Sequence, residues 1–150
     1  MDKRSELLRD LQRLCEDMLV DYEVLSRDLL ELVGAEDLVD YYITRGPYPE
    51  RPDTIADTFL LSGECLYNCE VKRKGTVFQV APLVTVVQIS EDLGEASGHE
   101  FLALHIKHSG GLSTVVRDKL TNGERLRRFS RAVKNALVQR LARPPQGMQT

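Results

Sequence analysis

Apolar residues recur at alternating intervals of three and four through residues 3–33: Leu8, Leu11, Cys15, Met18, Tyr22, Leu25, Leu29 and Leu32. That spacing predicts an α-helix carrying a coiled-coil-like seam over four heptads. Unbroken, such a helix is about 45 Å long. Ser5 stands where an N-cap is expected and Gly34 where a helix stops. Leu7, Leu14, Leu19, Val20, Val24, Leu30 and Val33 widen the stripe on both sides, so the helix asks for more than one packing surface. The eight seam residues are therefore candidates for a dimer contact. Residues 35–43 (AEDLVDYYI) read as a further short helix, which closes an N-terminal helical segment over 1–43.

Residues 44–56 contain Pro47, Pro49 and Pro52, a density that excludes helix and central strand and predicts a rigid connection. Beyond it the period changes to two. Cys65, Tyr67, Cys69 and Val71 alternate with Glu64, Leu66, Asn68 and Glu70, and VKRKGTV supplies a turn, so residues 63–81 predict a β-hairpin. LVTVVQI (83–89) predicts a third strand, EDLGEASGHE (91–100) a polar loop, and FLALHIKH (101–108) a fourth strand. STVVRD (113–118) follows the Gly110–Gly111 turn as a fifth. The last element is a helix over 122–142 with Leu126, Phe129, Val133, Ala136, Leu137 and Leu141 on one face. Pro144 and Pro145 end it, leaving 144–150 as a flexible tail. The order is α+β: a long N-terminal helix, then a domain over 57–143. In that domain an antiparallel sheet of four or five strands is covered by the C-terminal amphipathic helix.

This order resembles that of the small coiled-coil-plus-sheet modules of RWD type. Tyr48-Pro49 and Pro52 of YPERP are similar to the Pro-containing turn of that family, placed here ahead of the sheet. The resemblance implies a scaffold or adaptor role in a larger complex.

Composition bounds the rest. The 150 residues are 42% hydrophobic and 29% charged, enough for one domain with its own core. No run approaches the roughly 18 apolar residues of a membrane span, and MDKRSELLRD has no apolar signal segment. Three cysteines make no disulfide framework, so the expectation is an intracellular protein, cytoplasmic or nuclear, with no membrane partner. The formal net charge of −3 conceals an asymmetry. Residues 1–50 hold 6 Lys and Arg against 13 Asp and Glu, residues 51–100 hold 4 against 8, and residues 101–150 hold 10 against 2. Either an anionic partner meets the basic end or the charge is answered internally.

Candidate chemistry is thin. Cys65, Cys69, His105 and His108 are the residue types that hold zinc, but on straight strands the cysteines stand roughly 13 Å apart and the histidines face opposite ways. Cys15 lies beside Glu16 and Asp17, which disfavour a thiolate. No P-loop, dinucleotide or nucleophile-elbow string occurs. No enzyme, cofactor or metal is expected. Arg125, Arg127, Arg128, Arg131 and Lys134 form a basic face on the last helix, suited to phosphate or to an acidic partner. The string RRFS (127–130) has the form of a basophilic kinase site, although a packed helix would bury its serine.

The reading that follows is a protein-interaction module, a dimeric or heteromeric subunit with protein partners. Nucleic-acid binding through the basic helix and a small acidic assembly or secretion chaperone are the alternatives.

Overall fold

The computed structural model describes residues 2–34, 37–96 and 98–143. The N-terminal apolar seam runs through two helices in place of the long one expected: α1 (Lys3–Met18) and α2 (Tyr22–Val33). The break is at Leu19, whose φ of 57° is left-handed. Val20 N–H donates to the Cys15 carbonyl at 3.1 Å, a six-to-one closure of the kind that ends helices. Asp21 then starts α2 by accepting from Val24 N–H at 3.3 Å. At the other end Asp2, not Ser5, caps α1 and accepts from Ser5 N–H at 2.8 Å. Arg4 donates to the Gly34 carbonyl at 2.7 Å, so the start of α1 lies beside the end of α2 and the helices form an antiparallel pair. Their buried line is Leu7, Leu11, Leu14 and Cys15 on α1, and Leu25, Ser26, Leu29 and Val33 on α2.

The chain forms two compact units, one of residues 1–62 and 66–80 and the other of residues 63–65 and 81–150. In the first, β1 (Asp40–Arg45), β2 (Thr54–Leu61), β3 (Cys65–Lys72) and β4 (Gly75–Pro82) make an antiparallel sheet in sequence order. The β3–β4 hairpin is the one expected over 63–81. The helix expected over 35–43 is corrected: residues 35 and 36 lie outside the described residues, and Tyr41, Tyr42, Ile43 and Thr44 belong to β1. Aromatic and β-branched side chains in succession favour a pleated surface over a helix. YPERP consequently lies inside the sheet, between β1 and β2, and not ahead of it.

β2 is buried at all eight positions, and it carries an acid, Asp57, among them. Arg51, from the proline-rich connection, answers it. Its guanidinium donates to both Asp57 carboxylate oxygens at 2.8 and 3.1 Å, and also to Glu70 of β3. It lies over the Tyr48 ring at 4.5 Å, and the Tyr48 hydroxyl bonds Thr44 at 2.7 Å. Gly46 is needed because an added Cβ would meet the Thr54 and Ile55 carbonyls at 3.0 and 3.1 Å. The helix pair is joined to β1 by Tyr41 O–H donating to Asp10, by Arg45 on Asp17 at 2.7 Å and by Lys3 on Asp40 at 3.3 Å.

In the second unit, β5 (Val86–Ala96), β6 (His99–His108) and β7 (Ser113–Lys119) make a separate three-stranded antiparallel sheet. The expected single sheet of four or five strands is thus two sheets. The polar loop expected over 91–100 is also corrected, because β5 and β6 stay paired from Ile89↔Ile106 out to Ala96↔His99. Gly94 permits this. The Phe101 ring covers it so closely that a Cβ would lie 2.4 Å from the ring, and Arg117 stacks on the same ring at 5.0 Å. This is an aromatic filling the gap a strand glycine leaves.

The C-terminal helix α3 (Gly123–Ala142) packs on β6, β7 and the short turns flanking the sheet, burying Leu126, Phe129, Ser130, Val133 and Ala136. Leu137 is half-buried, whereas Leu141 is turned out to solvent. No helix among the described residues is long and apolar enough to cross a membrane.

Replacing Arg51 by Met leaves the Asp57 carboxylate buried without its counter-charge. The expected loss is about 2 kcal/mol of unfolding free energy, because the guanidinium itself is partly exposed. Adding Asp57→Asn to Arg51→Met should recover most of that loss in chemical denaturation.

Candidate interaction surfaces

The corner between the helices is the most unusual surface of the first unit. Leu19 is 94% exposed although it is a bulky apolar residue in a left-handed backbone, where glycine is the ordinary occupant. It stands on the rim of a groove of about 440 Å³ between the corner and the β3–β4 end of the sheet. The floor and walls are aliphatic: Met18, Val20, Val24, Leu25, Ile55 and Val71. Asp21 and Asp28 line the helix side, while Lys72 and Arg73 line the hairpin side. A concavity of this size with apolar walls and a few charges is the ordinary form of a binding site.

Against this surface the predicted dimer seam divides. Leu11, Cys15, Leu25 and Leu29 are buried inside the unit. Leu8, Met18, Tyr22 and Leu32 are half-buried. The helix break has rotated the two halves of the seam onto each other. Only Met18 and Leu25 of the seam reach the groove.

β4 is the second exposed apolar feature. It ends the sheet order, with a paired strand on one side only, and Val77, Phe78 and Val80 on it are exposed. An apolar edge strand is a template for another chain.

The basic face of α3 is partly spent within its own unit. Glu91 of β5 accepts from the Ser130 hydroxyl at 2.5 Å and from the Lys134 ammonium at 3.2 Å. Ser130 first, with Lys134 and Arg127 adding, holds that carboxyl below the usual range. Arg140 and Arg143 together hold Glu64, with contacts of 2.7 and 2.8 Å. Arg125 is half-buried, and Arg127 is exposed. Arg128 and Arg131 are exposed with no ion-pair partner among the described residues. Farther along, Val138 and Leu141 are exposed as well. Phe129 is buried, so no aromatic on this helix is placed for base stacking.

The remaining candidates have structural surroundings. Burial raises the Cys15 thiol and pushes Cys69 up to about 12, which keeps both protonated at neutral pH. His105 meets Asp92 at 3.1 Å on an exposed face. No group of three or more His, Cys, Asp and Glu side chains placed to hold a metal ion occurs among the described residues.

His108 is the titratable residue that the sequence did not single out for burial. It is 3% exposed, between Thr85 at 3.1 Å and Thr114 at 3.1 Å. The Thr85 hydroxyl donates to the Pro82 carbonyl at 2.7 Å. Nδ1–H of His108 must therefore donate to Thr85, and its bare Nε2 accepts from the Thr114 hydroxyl. This is a neutral imidazole with both nitrogens satisfied.

No family model, curated protein or solved structure matches this chain.

Burial lowers the His108 pKa below its ordinary 6.5. The unfolded chain then binds the proton more tightly than the folded one. The contribution is full above about pH 6.5 and is lost as pH falls from there toward the folded value. Urea midpoints measured from pH 7.5 down to pH 5 should fall more steeply in the native protein than in His108→Gln. Equal slopes would remove the histidine from the acid response.

Proposed function

We propose that this chain is a non-enzymatic protein-interaction module, a subunit of a dimeric or heteromeric assembly. The observation that carries the reading is Leu19, a solvent-exposed leucine in a left-handed backbone at the rim of an aliphatic groove. Folding alone favours neither the exposure nor the residue type. A contact with another chain supplies a reason for both, since buried apolar anchors contribute most to interface affinity. The exposed apolar edge at β4 supports the same reading and offers strand addition as a second contact. The helix corner takes the place of a continuous coiled coil as the assembly contact.

A photo-crosslinking side chain placed at position 19 should trap protein adducts in extracts of the source cell. The same label at Gln12, on the exposed polar side of α1, should not. Absence of protein adducts at position 19 would end this reading. One dominant adduct partner would favour the assembly-chaperone form of the module.

A second reading, nucleic-acid binding, is supported by the exposed Arg128 and Arg131 beside Arg127. It has less behind it, because Lys134 is engaged by Glu91. If α3 grips phosphates, changing Arg127, Arg128 and Arg131 together to Gln lowers affinity for a mixed-sequence duplex at low salt. It also lowers the salt slope by about three. No binding by the unaltered protein at low salt disposes of it.

A further inference from the structure

We infer that the partner at the helix corner is a second copy of this chain, docked about a two-fold axis so that Leu19 of each copy seats in the other's groove. The inference rests on the interaction reading above and names its partner.

Three properties of the patch point to a copy of itself. The first is shape. A projecting aliphatic side chain and an aliphatic concavity of about 440 Å³ occur on one small surface, with Leu19 itself on the rim. A two-fold interface uses the same patch on both partners, so it must carry both the projection and its receptor. The second is charge. Acids line the α2 wall, at Asp21 and Asp28, and bases line the hairpin wall, at Lys72 and Arg73. A partner of one sign would satisfy one wall and oppose the other. A copy related by a two-fold sets the acidic wall of each against the basic wall of the other. Arg73 is available for this, as its side chain has no ion-pair partner among the described residues. The third is composition. The named walls are aliphatic, which matches a leucine better than a flat ring.

Leu19 also supplies a variant that does not depend on a fragile fold. Leu19→Gly removes the projection and relieves the left-handed backbone, so the monomer should gain resistance to urea while losing its partner. Asp28 is the acid to exchange, because Asp21 is needed to cap α2.

The full chain should be examined by sedimentation equilibrium from micromolar to millimolar concentration. The expected result is a mass rising toward twice 17.0 kDa, with association weakened about tenfold or more by Leu19→Gly. Asp28→Arg and Arg73→Glu should each weaken association, and the two single variants mixed together should restore it as a heterodimer. A monomer throughout the range overturns the inference. So does a dimer indifferent to Leu19→Gly, or charge variants that fail to complement. If the chain is monomeric yet position 19 crosslinks to a different protein, the self-association is wrong and the interaction module stands. If neither contact is found, both fall.

Discussion

A carboxylate in the middle of a fully buried strand is the constraint around which the first unit is arranged. Asp57 lies on β2, where every position is withdrawn from water, and a charge there is tolerable only with a partner. Arg51 provides it from a connection that has no regular structure of its own. The pairing therefore does two jobs. It neutralises the strand, and it pins residues 46–53 to the sheet so that β1 and β2 meet in register. Tyr48 under the guanidinium and Glu70 on the next strand complete the enclosure. In that setting the three prolines of the connection stiffen a loop that already has a fixed end point.

The charge asymmetry along the chain resolves into the two units. The first holds 10 Lys and Arg against 16 Asp and Glu, the second 10 against 7. Within each, the strongest pairings are local: Arg51 with Asp57 and Glu70 in one, Lys134 with Glu91 and Arg140 with Glu64 in the other. The basic helix is thus steadied by acids of its own unit. Among the described residues, Arg128 and Arg131 on α3 and Arg73 on the β3–β4 hairpin are cations without an ion-pair partner.

Much of the fold was legible in the sequence because its signals are local. The period-two run from Cys65, the alternating Leu102, Leu104 and Ile106, and the stripe Leu126–Phe129–Val133–Ala136 each report a face that is in fact buried. The failures have one physical type: a short-range cue outweighed a stronger neighbour. Heptad spacing across residues 8–32 survived the turn at 19–21 because Leu, Val and Asp do not read as a break, yet Asp21 caps a new helix there. The polar string after residue 90 concealed a hairpin because its pairing depends on Phe101 covering Gly94, a contact between strands. The candidate site was the least legible. A left-handed leucine has no sequence signature, and the groove is assembled from three separate segments of chain. Helical spacing places Leu141 on the buried stripe of α3, but in the structure its side chain is exposed.

Ser130 shows how burial changes the meaning of a short motif. Its hydroxyl is fully enclosed and donates to Glu91, so the string RRFS is invisible to any enzyme that must grip an extended peptide. Access requires α3 to come away from β5 and β6. A phosphate added then would set a dianion against Glu91 and prevent the helix from returning. Modification at this position would mark chains caught before or after folding, making Ser130 a record of the fold's history and not a switch on its surface.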